Sequence, residues 1–298
     1  MATIDLSQLP RPAIIEALDF EVILADIKRF MVSRFPEELR PAVAAALELE
    51  SEPLNIIAQA FAWRELLLRQ RINDGAAACM LSHSVSTDLD NIASNMGTRR
   101  LVITPATDTT DAVMESDTAL RMRAQAAFDG LSVAGPTGAY EYFAKSASGN
   151  VADAKAVSPS PAVVVISVLS TEGDGTATPE LLATVKDALS AEDRRPVGDR
   201  LTVQSAEIVN YNINARLFFY PGPESEPIQN AAHDALQAWI TLQGKIGRDV
   251  ARSAIMAALH VQGIQRVELT EPATDIVISD TQAARCASVT LEKGGTDE

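Results

Sequence analysis

Apolar residues recur at intervals of three and four from Phe20 to Phe35, where Phe20, Ile23, Leu24, Ile27, Phe30 and Met31 share one face of a helix that Pro36 stops. The same spacing predicts a second helix from Leu54 to about Asn73, with Ile57, Phe61, Leu68 and Ile72 on its apolar face and Arg64, Glu65, Arg69 and Arg71 largely elsewhere. A third helix is marked by Thr87 as N-cap, Asp90 three residues later in a capping-box-like place, and Gly97 as its C-terminal stop. Together these segments predict a helical domain over residues 1–97. No strongly apolar exposed stripe is expected, which implies that the isolated chain stays monomeric and oligomerises only with partners.

After Gly97 the pattern changes. The short apolar run Leu101 to Ile103 and a Thr- and Asp-rich connector, Thr104 to Asp111, precede helices at Asp117 to Leu131 and Thr137 to Ser146, separated by Gly135-Pro136. The β-branched run Val163 to Leu169 reads as a strand, Glu172-Gly173-Asp174-Gly175 as a turn, and Thr178-Pro179 as the cap and first position of a helix ending near Ser190. Two strands are expected at Leu201 to Val209 and Ile213 to Tyr220, ended by Pro221-Gly222-Pro223. In the second strand Ile213, Ala215, Leu217 and Phe219 alternate with Asn214, Arg216 and Phe218. Helices at about Pro227 to Leu242 and Asp249 to Leu259 lead to closing strands at Val267 to Leu269, Ile276 to Ile278 and Ala287 to Leu291, and the polar tail Lys293 to Glu298 is expected to fray. The fold class that follows is α+β or mixed α/β and multidomain: a helical N-terminal domain (1–97), a central α/β domain (98–195) and a C-terminal α+β domain (196–298).

Composition narrows the function classes. Of 298 residues 47% are hydrophobic, enough to bury a sizeable core, and the net charge of −15 opposes nucleic-acid phosphates and anionic membranes, so neither is expected as a partner. Cys79 and Cys286 are far apart and belong to no ligand pattern, which implies free thiols of a reducing compartment. Met1 to Pro12 has no basic segment followed by an apolar run, and no apolar run is long enough for a bilayer, so the expectation is a chain made in the cytosol that stays soluble.

The search for chemistry yields no catalytic, cofactor-binding or metal-ligating residues. His83, His233 and His260 are isolated, and His260 falls at the end of a predicted helix, where capping accounts for it. Glu172 to Gly175 lacks the spaced carboxylates of an EF-hand and the GK[ST] of a P-loop. Asp88 and Asp90 are explained by helix capping and the macrodipole. What remains is arginine. Arg64, Arg69 and Arg71 on the second helix suit either a solvated face or an acidic partner surface, and Arg194 and Arg195, between Asp193 and the rigid Pro196, suit either a charged loop or an intersubunit ion pair, with the interface favoured.

Glu52-Pro53-Leu54, Phe61-Ala62-Trp63-Arg64-Glu65 and Arg69-Gln70-Arg71-Ile72-Asn73-Asp74 resemble the N-terminal signature of the phage baseplate assembly protein J family. The likeness continues through Asp88-Leu89-Asp90-Asn91-Ile92-Ala93, Glu115-Ser116-Asp117, Leu120-Arg121-Met122-Arg123, Gly135-Pro136 and Tyr140. Its closest stretch runs from Arg195-Pro196-Val197-Gly198-Asp199 through Val203-Gln204-Ser205-Ala206 and Val209-Asn210-Tyr211 to Tyr220-Pro221-Gly222-Pro223. The resemblance implies a non-enzymatic subunit of the wedges around the central hub of a contractile tail, as in myophages, R-type pyocins and type VI secretion baseplates. It implies as partners other copies of itself, baseplate protein I and the lysozyme-like sheath-initiating protein W, and indirectly the hub, spike and tail fibres. It implies assembly in the host cytoplasm and residence in the tail baseplate, and no catalytic residues or cofactors transfer with it. The rival readings are a transient tail-assembly chaperone and an envelope-degrading hydrolase; the second would need a carboxylate pair or metal site that the sequence does not offer.

Overall fold

Asp19 opens the first helix by accepting the backbone N–H groups of Glu21 and Val22 at 2.8 and 3.3 Å, so that two donors left free by the helix start are satisfied. The structure is a computed structural model that describes residues 6, 9–10, 12–132, 134–191, 194–221 and 225–296. Asp193, Gly222, Pro223 and the last two residues of the polar tail, all used in the sequence reading, lie outside these. The chain divides into two units, residues 2–96 and Gly97–Glu298.

The first unit is helical: α1 (Phe20–Ser33), α2 (Arg40–Leu47), α3 (Pro53–Ala78) and α4 (Ser86–Asn95). Ile23 and Leu24 of α1 pack on Ala58 and Ala62 of α3, with Phe20, Ile27, Met31 and Leu66 around them. Ala58 and Ala62 are one turn apart, and their small side chains let the two helix backbones approach closely. Asn73 fixes the segment before α1: its side chain donates to the Glu16 carbonyl at 2.9 Å and accepts from the Glu16 N–H at 3.1 Å. The α4 start differs from expectation. Val85 occupies the N-cap position with no side-chain cap, and Thr87 lies inside the first turn.

The second unit holds two three-stranded sheets. In the first, β3 (Val151–Ser160) runs antiparallel to β4 (Val163–Ser170), and β5 (Arg200–Ser205) returns parallel to β4 after the crossover helix α7 (Pro179–Leu189). Thr178 caps α7 with Pro179 at its first position, as the sequence predicts. The core here joins Tyr140 and Ala144 of α6 (Thr137–Ala147) to Ile166, Val168, Val185 and Leu189. Ahead of this core stand a small ribbon, β1 (Val102–Thr104) with β2 (Val113–Met114), and helix α5 (Asp117–Ala126).

The second sheet is ordered β7-β6-β8, with β6 (Glu207–Phe219) in the middle, antiparallel to β7 (Ile264–Glu271) and parallel to the edge strand β8 (Gln282–Thr296). Tyr211, Ile213, Ala215, Leu217 and Phe219 alternate inward, against Leu236 of α8 (Ser225–Gln243) and Ile255 and Leu259 of α9 (Arg252–Leu259). The strand expected from Leu201 to Val209 is split at Ala206. Its N–H bonds Val168 of the first sheet, whereas the next N–H, of Glu207, bonds Thr281 beside the second, so the chain changes sheets there without a turn. Ala206 then seals the joint between the sheets with Leu169, Ile246 and Ala283. Ile276 makes only an isolated bridge with Val250 instead of a strand, and Lys293 to Thr296 are held in β8.

Candidate interaction surface

The predicted apolar face of α3 is not the face that packs. Ile57, Phe61, Leu68 and Ile72 are 46%, 62%, 62% and 63% exposed, while Asn55, Ala58, Ala62 and Asn73 are buried. At 3.6 residues per turn the four large side chains fall within an arc of about 60°. The expectation of a surface without an apolar stripe is therefore overturned. The reason is physical: α3 is apolar over most of its circumference, and α1 selects the small-residue side because only there do the backbones come close enough to bury Ile23 and Leu24.

The arginines divide around this stripe. Arg64 and Arg71 are exposed and follow Phe61 and Leu68 by three residues each, which places them along one border of the stripe, where flanking charges of a two-helix seam sit. Arg69 is engaged within its own unit: Nη2 meets Glu65 at 2.7 Å and Nη1 meets Glu16 at 3.1 Å. Those two carboxylates, with the Glu65 hydrogen bond foremost, hold its guanidinium above its usual range of protonation.

Arg194 and Arg195 belong to the second unit and lie in the loop that leads to β5. The Arg194 guanidinium lies 5.1 Å from the centre of the Phe143 ring and donates to the Ala188 carbonyl at 2.9 Å, near the end of α7. Arg195 donates to the Asp199 carbonyl at 3.3 Å, and the carboxylate of Asp199 accepts the hydroxyl of buried Tyr140 at 2.6 Å. Burial, then the Asp199 bond, pushes the Tyr140 phenol up from its ordinary value. Gly135, at a positive φ of 79°, lets Pro196 and Asp199 lie against its Cα, where a Cβ would stand 3.0 Å from the Pro196 ring. Val197 protrudes at the tip, fully exposed.

Two features escaped the sequence reading. Glu115 and Arg123 form a buried bidentate ion pair, Nε to Oε1 at 2.8 Å and Nη2 to Oε2 at 2.7 Å, which also draws in the Arg99 carbonyl, the Leu101 N–H and Ser146. Both residues stand in short segments that carry the family resemblance, but a spacing of eight carries no signature of a contact, since it needs the turn between β2 and α5. The second is a cavity of about 370 Å³ beside this pair, lined by Met114, Met122, Lys145, Asp153 and Lys245 among others.

The histidines stay apart. His83 shares a hydrogen with Ser82 at 2.6 Å, His233 is half exposed beside Asp234, and His260 takes the C-cap of α9. Glu172 to Gly175 is a turn closed by the Gly175 N–H on the Glu172 carbonyl at 3.0 Å. Among the described residues no three of His, Cys, Asp and Glu gather as metal ligands would, and no helix is long and apolar enough to cross a membrane.

Comparison with known proteins accounts for most of the length. The chain matches the Baseplate J-like N-terminal domain over residues 50–107, the Baseplate J-like central domain over 132–205 and the Baseplate J-like protein C-terminal domain over 211–292. It is 56% identical over 302 residues to Baseplate protein J of Escherichia phage P2, covering 100% of both chains. A chain of the anti-feeding prophage baseplate, solved by cryo-electron microscopy, aligns at a TM-score of 0.41 and 14% identity over 61% of this chain, which spans 43% of that chain. With three successive domain matches and more than half of all positions identical to a phage relative of equal extent, the chain belongs to the baseplate J-like family.

Proposed function

We propose that the chain is a structural subunit of a contractile-tail baseplate that takes its place in the wedge ring around the hub and acts through interfaces, without catalysis. Family membership supports the baseplate assignment, and the exposed α3 stripe carries the reading of how it assembles. Ile57, Phe61, Leu68 and Ile72 form a continuous apolar seam bordered by Arg64 and Arg71, the arrangement that a helix from a neighbouring polypeptide would bury. In this reading residues 1–97 form the helical docking domain, and the α/β domains 98–195 and 196–298 reach towards adjacent wedges, with Arg194 and Arg195 presented on the Asp199 loop. The helices that cover the stripe come from other copies of this chain and from baseplate proteins I and W, assembled in the host cytoplasm and retained in the tail. Rearrangement of the ring would then license sheath contraction.

Co-expression with the candidate I and W proteins, followed by native mass spectrometry, tests the reading. A defined complex holding more than one copy of the chain, lost when Phe61 and Leu68 are replaced by Glu, is the expected result. A chain that remains alone, or that is absent from purified tails, overturns it in favour of the transient chaperone.

A further inference from the structure

The cavity beside the Glu115–Arg123 pair carries an excess of positive charge in a chain whose net charge is −15. Its carboxylates are already engaged. Glu115 is held by Arg123, and Asp153 accepts the Ile246 N–H at 3.1 Å while Lys145 approaches it at 3.5 Å. Lys245 is different. It is half buried, and among the described residues its ammonium meets the Met122 thioether sulfur at 3.8 Å, a weak acceptor that offsets little of the lost hydration. Burial accordingly lowers its affinity for a proton, against the pull of Asp153, and Arg248 and Lys145 act in the same direction as burial. The rest of the wall is largely apolar, from Leu101, Ile103, Met114 and Ala119.

A cation whose neighbouring carboxylate, Asp153, is already shared with Lys145 and the Ile246 N–H, set in an apolar cleft of this volume, is complementary to a further carboxylate borne on an apolar stem. We propose that the cavity receives an Asp or Glu side chain from an adjoining polypeptide of the assembled baseplate, seated on the Lys245 ammonium with an apolar neighbour against Met114 and Ile103. The inference rests on the baseplate reading for its partner. It assigns the joint between the two sheets a role as a socket, since Lys245 precedes Ile246 of that joint and Asp153 ties the two sheets together.

Zero-length carbodiimide coupling of purified tails containing the chain, read by peptide mass spectrometry, is the test. The expected product joins Lys245 to an Asp or Glu of another polypeptide and disappears in the Lys245→Gln chain, while Lys245 in tails is acetylated by acetic anhydride at least tenfold more slowly than in the isolated protein. Tails that contain the chain but leave Lys245 as reactive as in isolation, or couple it only to Asp153, overturn the inference and leave the baseplate reading intact. Equal protection of the isolated protein by free butyrate assigns the site to small carboxylates and also overturns it. Absence of the chain from tails removes the baseplate reading and the inference together.

Discussion

Arg123 grips Glu115 through two parallel hydrogen bonds of 2.8 and 2.7 Å, and both side chains are less than a tenth exposed. Such a pair has been taken out of water at a cost that its geometry and its further bonds to Arg99, Leu101 and Ser146 offset, so removing one partner strands the other. Arg123→Ala should destabilise the second unit by about 3–5 kcal/mol, whereas Arg123→Met with Glu115→Leu should cost much less than the two single changes added together. Urea unfolding of the two single variants and the double variant measures both. Additive losses would mean that the pair is not coupled.

The α3 stripe makes the opposite forecast for stability. Phe61→Glu and Leu68→Glu alter exposed positions outside the buried cluster of their unit, so the isolated chain should keep its unfolding free energy to within about 0.5 kcal/mol while losing its helical partners. Ala62→Leu, on the face buried against Ile23 and Leu24, should instead cost about 1–3 kcal/mol by overpacking. Thermal unfolding beside co-purification separates the two faces; a large drop in stability for Phe61→Glu would show that the stripe belongs to the fold.

That contrast also shows what periodicity reveals and what it hides. The three-and-four spacing of Phe61, Leu68 and their neighbours locates the helix, yet the side on which α1 packs is decided by Ala58 and Ala62, small residues with little weight in an apolar count. In β6 the alternation from Ile213 to Phe219 marks the second half of the strand and its buried face, because one side is core and the other is not, whereas the strand itself begins at Glu207. Val203 and Val209 read as one strand, since nothing local at Ala206 marks the change of sheet; that depends on Val168 and Thr281, remote in sequence. Arg194 and Arg195 were legible as candidates beside Pro196, but their loop is fixed by Tyr140 and Gly135, some sixty residues earlier.

Glu141 offers a test by pH. Burial raises its carboxyl above the ordinary 4.5, only partly countered by the Ala156 N–H and by Lys145. The folded state therefore binds this proton more tightly than the unfolded state, and stability falls as pH rises from the unfolded value through the folded one. Glu141→Gln keeps an oxygen for the Ala156 N–H and removes the buried charge. The variant should unfold at a higher temperature than the parent at pH 7, and the difference should shrink as the pH is lowered through the raised folded value towards 4.5 and stay constant below it. A difference that is constant with pH would place its cause outside the titration of this carboxyl.

The Tyr140–Asp199 bond joins a buried core residue to an exposed loop, which allows the stability and the assembly roles of that loop to be told apart. Tyr140→Phe removes a 2.6 Å hydrogen bond to a carboxylate and should cost about 1.5–3 kcal/mol, because the partner is charged. Asp199→Asn leaves an acceptor for Tyr140 and should cost less. Neither change touches Arg194 and Arg195 directly, although Arg195 donates to the backbone of Asp199 and shares its loop. If the loop presents the two arginines to an acidic neighbour, Arg194→Glu with Arg195→Glu should leave secondary structure unchanged and abolish incorporation into tails, with raised salt weakening incorporation of the parent in the same direction. Tyr140→Phe should then reduce incorporation only modestly, through loss of a fixed loop geometry. Full incorporation of the double arginine variant would assign both residues to the internal contacts with Phe143, Ala188 and Asp199 alone.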